Sequence, residues 1–178
     1  MSRIGQKPIP IPAGVGVNVQ NGIVSVKGPL GELRWKLAPG IAVLVADSQV
    51  QVSREGHDAG MRALHGLVRA EINNMIQGVT KGYERTLEIA GVGYKAQVVG
   101  QAVQLNVGYT HPVTFALPKG IEAKIDKQTV ITIRGINKRQ VGQIAANLRA
   151  IKPPDVYKQK GIKYAKEVLR KKEGKTGK

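Results

Sequence analysis

The chain contains no cysteine. Disulfides, thiol nucleophiles and thiolate zinc sites are thereby excluded, and the composition fits a reducing compartment. No apolar stretch approaches the roughly 20 residues that a membrane-spanning helix needs. The opening Met1-Ser2-Arg3-Ile4-Gly5-Gln6-Lys7-Pro8 lacks an apolar h-region and breaks at once into prolines, so neither a signal peptide nor an amphipathic transit sequence is expected. Catalytic signatures are equally scarce. GxxxxGK[ST], GxSxG and HExxH are all missing. The three histidines, His57, His65 and His111, are dispersed without carboxylate or thiol companions at ligand spacing, so no metal site is expected. No cofactor and no catalytic constellation follow from these residues. With 178 residues, 42% of them apolar, the chain can bury a real core, and a soluble cytoplasmic protein is the expectation.

Positive charge is what the chain has in excess. Its 28 Lys/Arg against 12 Asp/Glu give +16 and a pI near 10.3. The excess is uneven, +4 over residues 1–82, +4 over 83–148 and +8 over Arg149 to Lys178. Clustered cations of this kind are the footprint of phosphate-backbone binding, because each neutralised phosphate releases condensed counterions. Tyr157 and Tyr164 interleave with Lys158, Lys160, Lys163 and Lys166, supplying rings that can stack on unpaired bases. Pro153-Pro154 stiffens the approach to this segment and is expected to hold it away from the preceding helix, with Lys158 and Lys160, two residues apart, on one face of an extended strand.

Periodicity and an internal repeat define the fold class. Residues 28–70 superpose without gaps on 108–150, with eight identities in 43 positions: Gly28/Gly108, Leu37/Leu117, Gly40/Gly120, Ile41/Ile121, Val50/Val130, Arg54/Arg134, Arg69/Arg149 and Ala70/Ala150. Each half repeats one grammar. In the first, Val15 to Val19 and Ile23 to Val26 alternate with period two around Asn21-Gly22, which predicts a hairpin. Short strands at Leu33 to Leu37, Ile41 to Val45 and Val50 to Val52 follow, with Asp47-Ser48 between the last two. From Asp58, an N-cap residue, apolar positions recur at spacings of three and four until Gly78, which predicts a helix. The second half predicts strands at Thr86 to Ile89, Tyr94 to Val99, Val103 to Val107, Val113 to Leu117, Ile121 to Ile125 and Val130 to Ile133, then a helix from Asn137. The expectation is an α+β protein made of two similar domains from an internal duplication, 1–82 and 83–152, each a small mostly antiparallel sheet packed against one helix, with a basic C-terminal extension over 153–178.

Two features invite an enzyme. Gly91-Val92-Gly93-Tyr94-Lys95-Ala96 matches the GxGxxA pattern of dinucleotide sites, but β-branched residues and glycine follow where a helix should begin, and no acidic residue stands about twenty positions on. A bulge or tight bend between strands is the expected reading. Glu84 and Glu88 could share a strand face, as solvated carboxylates. A dinucleotide-dependent enzyme using Gly91 to Ala96 stays as one alternative. A peripheral protein that binds anionic membrane through its tail is another, although Ile162, Ala165, Val168 and Leu169 form only a thin apolar face.

Six separated motifs, in order, carry a resemblance. They are Met1-Ser2-Arg3-Ile4-Gly5; Val26-Lys27-Gly28-Pro29; Gly91 to Ala96; Gly108-Tyr109-Thr110-His111-Pro112-Val113; Asn137-Lys138-Arg139-Gln140-Val141-Gly142-Gln143-Ile144-Ala145-Ala146; and Pro153-Pro154-Asp155-Val156-Tyr157-Lys158-Gln159-Lys160-Gly161-Ile162. Together they resemble the bacterial form of ribosomal protein six of the large subunit over the whole chain. The resemblance implies two similar α+β domains and attachment to large-subunit (23S-type) ribosomal RNA, mainly through the C-terminal half. It also implies a position near the stalk base, beside other large-subunit ribosomal proteins and where translation factors bind, and a structural, non-enzymatic role with no membrane and no small-molecule substrate. Gln159 stands where the family usually has a small residue, often glycine, which argues against an unusual backbone angle or very close RNA approach there. Leu30 stands where the family often carries a cation, which argues against a phosphate contact from that turn.

Charge and resemblance together nominate the RNA-contacting residues. They are Lys95 in the glycine bend; Lys138 and Arg139 at the start of the second helix; Arg149 and Lys152 at its end; Tyr157, Lys158, Lys160, Lys163 and Tyr164 beyond it; and Arg170, Lys171, Lys172 and Lys175 in the tail. Arg149 has a second reading as a helix C-terminal cation, because its repeat partner is Arg69. Recognition of RNA shape by phosphate, 2′-hydroxyl and stacking contacts is the expected mechanism.

Overall fold

The computed structural model describes residues 3–46, 48–56 and 58–175. Met1 and Ser2 of the opening motif, Asp47 of the Asp47-Ser48 turn, His57 among the candidate ligands, and the last three residues of the basic tail lie outside the described residues. The chain divides into two compact units, Met1–Gly82 with Ile136–Lys138, and Tyr83–Gly135 with Arg139–Lys178.

The first unit holds strands β1 (Ile9–Pro10), β2 (Gly16–Gln20), β3 (Ile23–Gly28), β4 (Gly31–Lys36), β5 (Ile41–Ala46) and β6 (Gln49–Arg54), followed by helix α1 (Ala59–Thr80). All pairings are antiparallel, but they form two three-stranded sheets, β1-β6-β5 and β2-β3-β4, where one was expected. Pro39, which has no N–H to give a ladder, and Gly40, at φ 74°, turn the chain between β4 and β5 and end the first sheet. The β2–β3 hairpin closes on Asn21 and Gly22, both left-handed, the geometry that a two-residue turn needs to match strand twist. Asp58 caps α1, its Oδ2 accepting from the Met61 N–H at 3.2 Å. The helix runs two residues past the expected Gly78, because Gly82 takes the left-handed turn, at φ 73°. Val68, Ile72, Met75, Ile76 and Val79 of α1 pack on Ile9, Val24, Val26, Val50 and Val52 from both sheets.

The second unit holds β7 (Tyr83–Ala90), β8 (Lys95–Val99), β9 (Ala102–Asn106), β10 (Val113–Ala116), β11 (Ile121–Asp126), β12 (Val130–Gly135), helix α2 (Lys138–Ile151) from its second residue on, and β13 (Gly161–Tyr164). Its sheets run β10-β9-β8 and β11-β12-β7-β13. Val141, Ile144, Ala145 and Leu148 of α2 join Leu87, Leu105, Ile131, Ile133 and Ile162 in its core. Strand order therefore matches between the units, β1-β6-β5 against β7-β12-β11 and β2-β3-β4 against β8-β9-β10, and the second adds β13 at the β7 edge.

That strand changes the reading of the C-terminal segment. Within the expected extension, Gly161–Tyr164 pairs antiparallel with β7 in register Ile162↔Ile89, and Ile162 is completely buried. Burying one Ile side chain contributes about 2–3 kcal/mol, so this strand belongs to the unit's core energetics. Its lysine-flanked sequence reads as a solvated basic run, and only the β7 edge reveals it as a strand.

Candidate nucleic-acid interface

Between α2 and β13 the chain makes a pinned turn. The Asp155 carboxylate accepts from the Tyr157 N–H at 3.2 Å and the Lys158 N–H at 3.0 Å, a local side-chain turn that the Pro-Pro-Asp sequence sets up. Asp155 N–H donates to the Lys160 carbonyl at 3.0 Å, and Ile162 N–H donates to the Lys152 carbonyl at 2.8 Å. Gly161 lies so close to the returning backbone that a Cβ there would stand 2.7 Å from the Pro153 carbonyl oxygen, with φ at 147°. Only glycine fits. Tyr157, Lys158 and Lys160 are exposed on this turn.

Two expectations fail here. Gln159 adopts φ 55°, so the unusual backbone angle is present without glycine. Lys158 and Lys160 consequently ride on a reversal of direction and not on one face of an extended strand, and Pro153-Pro154 packs against Gly161 and does not hold the segment away from α2. Asp155, which carries the turn, was not among the nominated residues; its proline-proline-aspartate context was the available signal.

Three nominated residues are spent inside the unit. Arg149 makes a two-pronged ion pair with Glu167, with Nε to Oε2 at 2.9 Å and a second bond from its Nη2 to Oε1. This raises the Arg149 pKa and holds the Glu167 carboxyl below its ordinary range, chiefly through the shared hydrogen bond. Tyr164 packs on the core, lies 5.9 Å from the Arg149 guanidinium, and donates its N–H to Glu167 at 3.0 Å. Lys163 pairs with Glu88 at 3.2 Å, across the β13–β7 ladder. The Arg149 and Lys163 charges are thus already paired and half-buried, and Tyr164 is packed on the core.

The remaining nominees sit at the surface. Lys95 opens β8, and Lys138 and Arg139 open α2, all exposed. Lys152 is half-buried, its Nζ 4.8 Å from the centroid of the Tyr109 ring, within cation–π range. Arg170, Lys171, Lys172 and Lys175 are exposed, and the Lys172 N–H donates to the Val156 carbonyl at 3.0 Å, which returns the tail to the pinned turn. Tyr109 was missed as a partner of Lys152, although it stands in one of the six motifs.

The enzyme constellations dissolve. Gly91 to Ala96 turns from β7 into β8, strand to strand, with no helix whose N-terminus could take a pyrophosphate. Its glycines make room for Tyr94, whose ring would lie 2.5 Å from a Cβ on Gly91 and whose hydroxyl would lie 2.8 Å from one on Gly108. Glu84 pairs with Arg134 at 2.7 Å, and Glu88 with Lys163. His65 is buried with Nε2 2.9 Å from the Val52 carbonyl, while His111 is exposed. Among the described residues no three metal-ligating side chains converge, and no helix is long and apolar enough to cross a membrane.

Comparison with known families decides the assignment. The family described as Ribosomal protein L6 matches residues 11–82 and 90–165. The chain belongs to the ribosomal protein L6 family. Proteins named large ribosomal subunit protein uL6 are similar along its full length. That of Thermodesulfovibrio yellowstonii is 55% identical, covering 100% of this chain and 99% of its own. That of Koribacter versatilis is 52% identical over 99% of both chains, and that of Listeria welshimeri 51% over 100% of both. Members of this family are structural ribosomal proteins and not enzymes, so the dinucleotide reading is set aside.

Proposed function

We propose that the protein is a structural component of the large ribosomal subunit in the cytoplasm, binding large-subunit ribosomal RNA mainly through its second unit, near the stalk base and the translation-factor region. Other large-subunit proteins would be its neighbours there. The full-length likeness to large-subunit ribosomal proteins carries this reading. The supporting geometry is the pinned turn, which presents Tyr157, Lys158 and Lys160 beside the returning Arg170, Lys171 and Lys172 on backbone that the fold holds. Cations ordered before binding lose less entropy on meeting phosphate than cations on a free coil. Lys95, Lys138, Arg139, Lys152 and Lys175 extend the surface, while Arg149, Lys163 and Tyr164 brace it from within. Residues 1–82 act as a companion unit, and 83–152 with 153–178 as the RNA-facing part. Descent of the halves from one duplicated ancestor is supported by the matching strand order and the eight identities at an offset of 80.

Salt dependence tests the reading. Replacing Lys158 and Lys160 together by Gln should weaken binding to large-subunit ribosomal RNA and flatten the slope of log affinity against log salt by roughly one to two units. Tyr157→Ala should lower affinity by about 1–3 kcal/mol with little change of slope, because stacking releases no cations. An unchanged slope in the double variant, with the fold verified by circular dichroism, would reduce these lysines to a solvated face.

A further inference from the structure

The two units treat the same hairpin differently. In the first, β3 and β4 pair down to Gly28↔Gly31, and Leu30 N–H bonds the Val79 carbonyl near the end of α1 at 3.0 Å, which shuts the turn. In the second, the innermost pair of β9 and β10 is Leu105↔Val113, and residues 107–112 leave the ladder. Pro112 accounts for part of this, since it has no N–H to donate. The opened loop reaches the end of α2 by a side chain: the Tyr109 hydroxyl donates to the Ile151 carbonyl at 2.7 Å. That bond satisfies one of the carbonyls a helix leaves open at its C-terminus and pins the ring there.

A cleft of about 410 Å³ results, lined by Tyr109, Thr110, His111, Pro112, Val113 and Ile151. Its size falls in the range of small-ligand sites, roughly 300–1,000 Å³. Tyr109 is 49% exposed, with the Lys152 ammonium 4.8 Å from its ring centroid. Thr110 and His111 are exposed beside it, offering a hydroxyl and a second flat ring, and no acidic side chain lines the site. Two flat rings, an apolar proline wall and one cation suit a planar base attached to a phosphate. Lys152 also leads directly into the pinned turn, so the cleft continues the cationic surface. We infer that the Tyr109–Val113 loop and the end of α2 form a pocket for one unstacked nucleobase, with Lys152 set for its phosphate. The inference rests on the ribosomal-RNA reading and names a contact within it.

The test uses the full chain with a short single-stranded RNA of mixed sequence, a duplex of the same sequence, and large-subunit ribosomal RNA. The amide signals of Thr110, His111, Val113 and Lys152 should move on adding the single strand and stay in place on adding the duplex. Inorganic phosphate should leave Thr110 and His111 unmoved. Tyr109→Leu and His111→Ala should each weaken binding to ribosomal RNA by about tenfold with the salt slope unchanged. His111→Ala alters only an exposed side chain, so it keeps the test decisive if Tyr109→Leu fails to fold. Tight ribosomal-RNA binding with silent cleft signals and unaffected variants overturns the pocket and leaves the ribosomal reading standing. Cleft signals that answer the single strand in a chain that does not bind ribosomal RNA support the pocket and overturn that reading. Signals moved by a large-subunit protein and not by the single strand give the cleft to a protein and overturn the inference.

Discussion

The two units share a strand order and differ at their edges. The first ends its β1-β6-β5 sheet on the two-residue strand Ile9–Pro10, whereas the equivalent β7 of the second is eight residues long and accepts a further strand, β13. The first closes its β3–β4 turn, and the second opens the corresponding loop. A core of period-two strands under one amphipathic helix accommodates these changes, because an added edge strand joins it through a single inward side chain, Ile9 of β1 or Ile162 of β13. Binding surface can therefore be added at an edge while the interior keeps its pattern. Here the additions fall on the half that also holds +12 of the +16 charge and all five tyrosines.

Spectroscopy separates the two. Trp35 packs on the first core, and every tyrosine lies in the second unit. The largest expected effect is Ile162→Ala, which removes a completely buried side chain from β13 and should lower the stability read from tyrosine signals by about 3 kcal/mol in chemical denaturation. A loss below about 1 kcal/mol would show β13 to be peripheral, and an equal shift in the Trp35 transition would show that the halves unfold as one.

Glu167→Gln comes next. Its carboxylate holds Arg149 and the Tyr164 N–H with about a fifth of its side chain exposed, so the cost should be about 1–2 kcal/mol. The folded chain keeps this carboxyl below its ordinary value of 4.5, chiefly through the Arg149 hydrogen bond and against the opposing effect of burial. The stabilisation is therefore complete above about pH 4.5 and is lost as pH falls through the lower folded value. The Glu32–Arg34 pair of the first unit lies at the surface, and Glu32→Gln should leave the Trp35 transition in place at every pH. An acid loss of stability that survives in Glu167→Gln would assign it to another group.

The smallest effect concerns backbone strain. Gln159 and Asn21 hold similar left-handed angles, φ 55° and 50°, but asparagine tolerates that region and glutamine does not. Gln159→Gly should stabilise the second unit by about 0.5 kcal/mol, after the entropy that glycine adds to the unfolded chain, and Asn21→Gly should change the first by less. A destabilised Gln159→Gly would mean that the half-buried Gln159 side chain contributes more than its backbone costs.

The sequence alone determined what depends on neighbours in the chain. Period-two alternation placed the β2–β3 hairpin on Asn21-Gly22, three-and-four spacing after Asp58 placed α1, and the β-branched run after Gly93 argued against a dinucleotide turn. The charge excess pointed to a polyanion, and the six motifs pointed to the family. Tertiary structure decided which cations remain at the surface, because a charge is spent only when its partner arrives, and Glu167 reaches Arg149 from 18 residues away. It also decided β1 and β13, strands of two and four residues that show no period of their own and exist because an edge of β6 or β7 offers hydrogen bonds. The left-handed Gln159 stands between the two, set by the local Asp155 turn whose Pro-Pro-Asp sequence was its signal. The opened loop beside Tyr109 belongs with the strands, because Tyr109 reaches Ile151 from 42 residues away and such a contact leaves no local trace in composition or spacing.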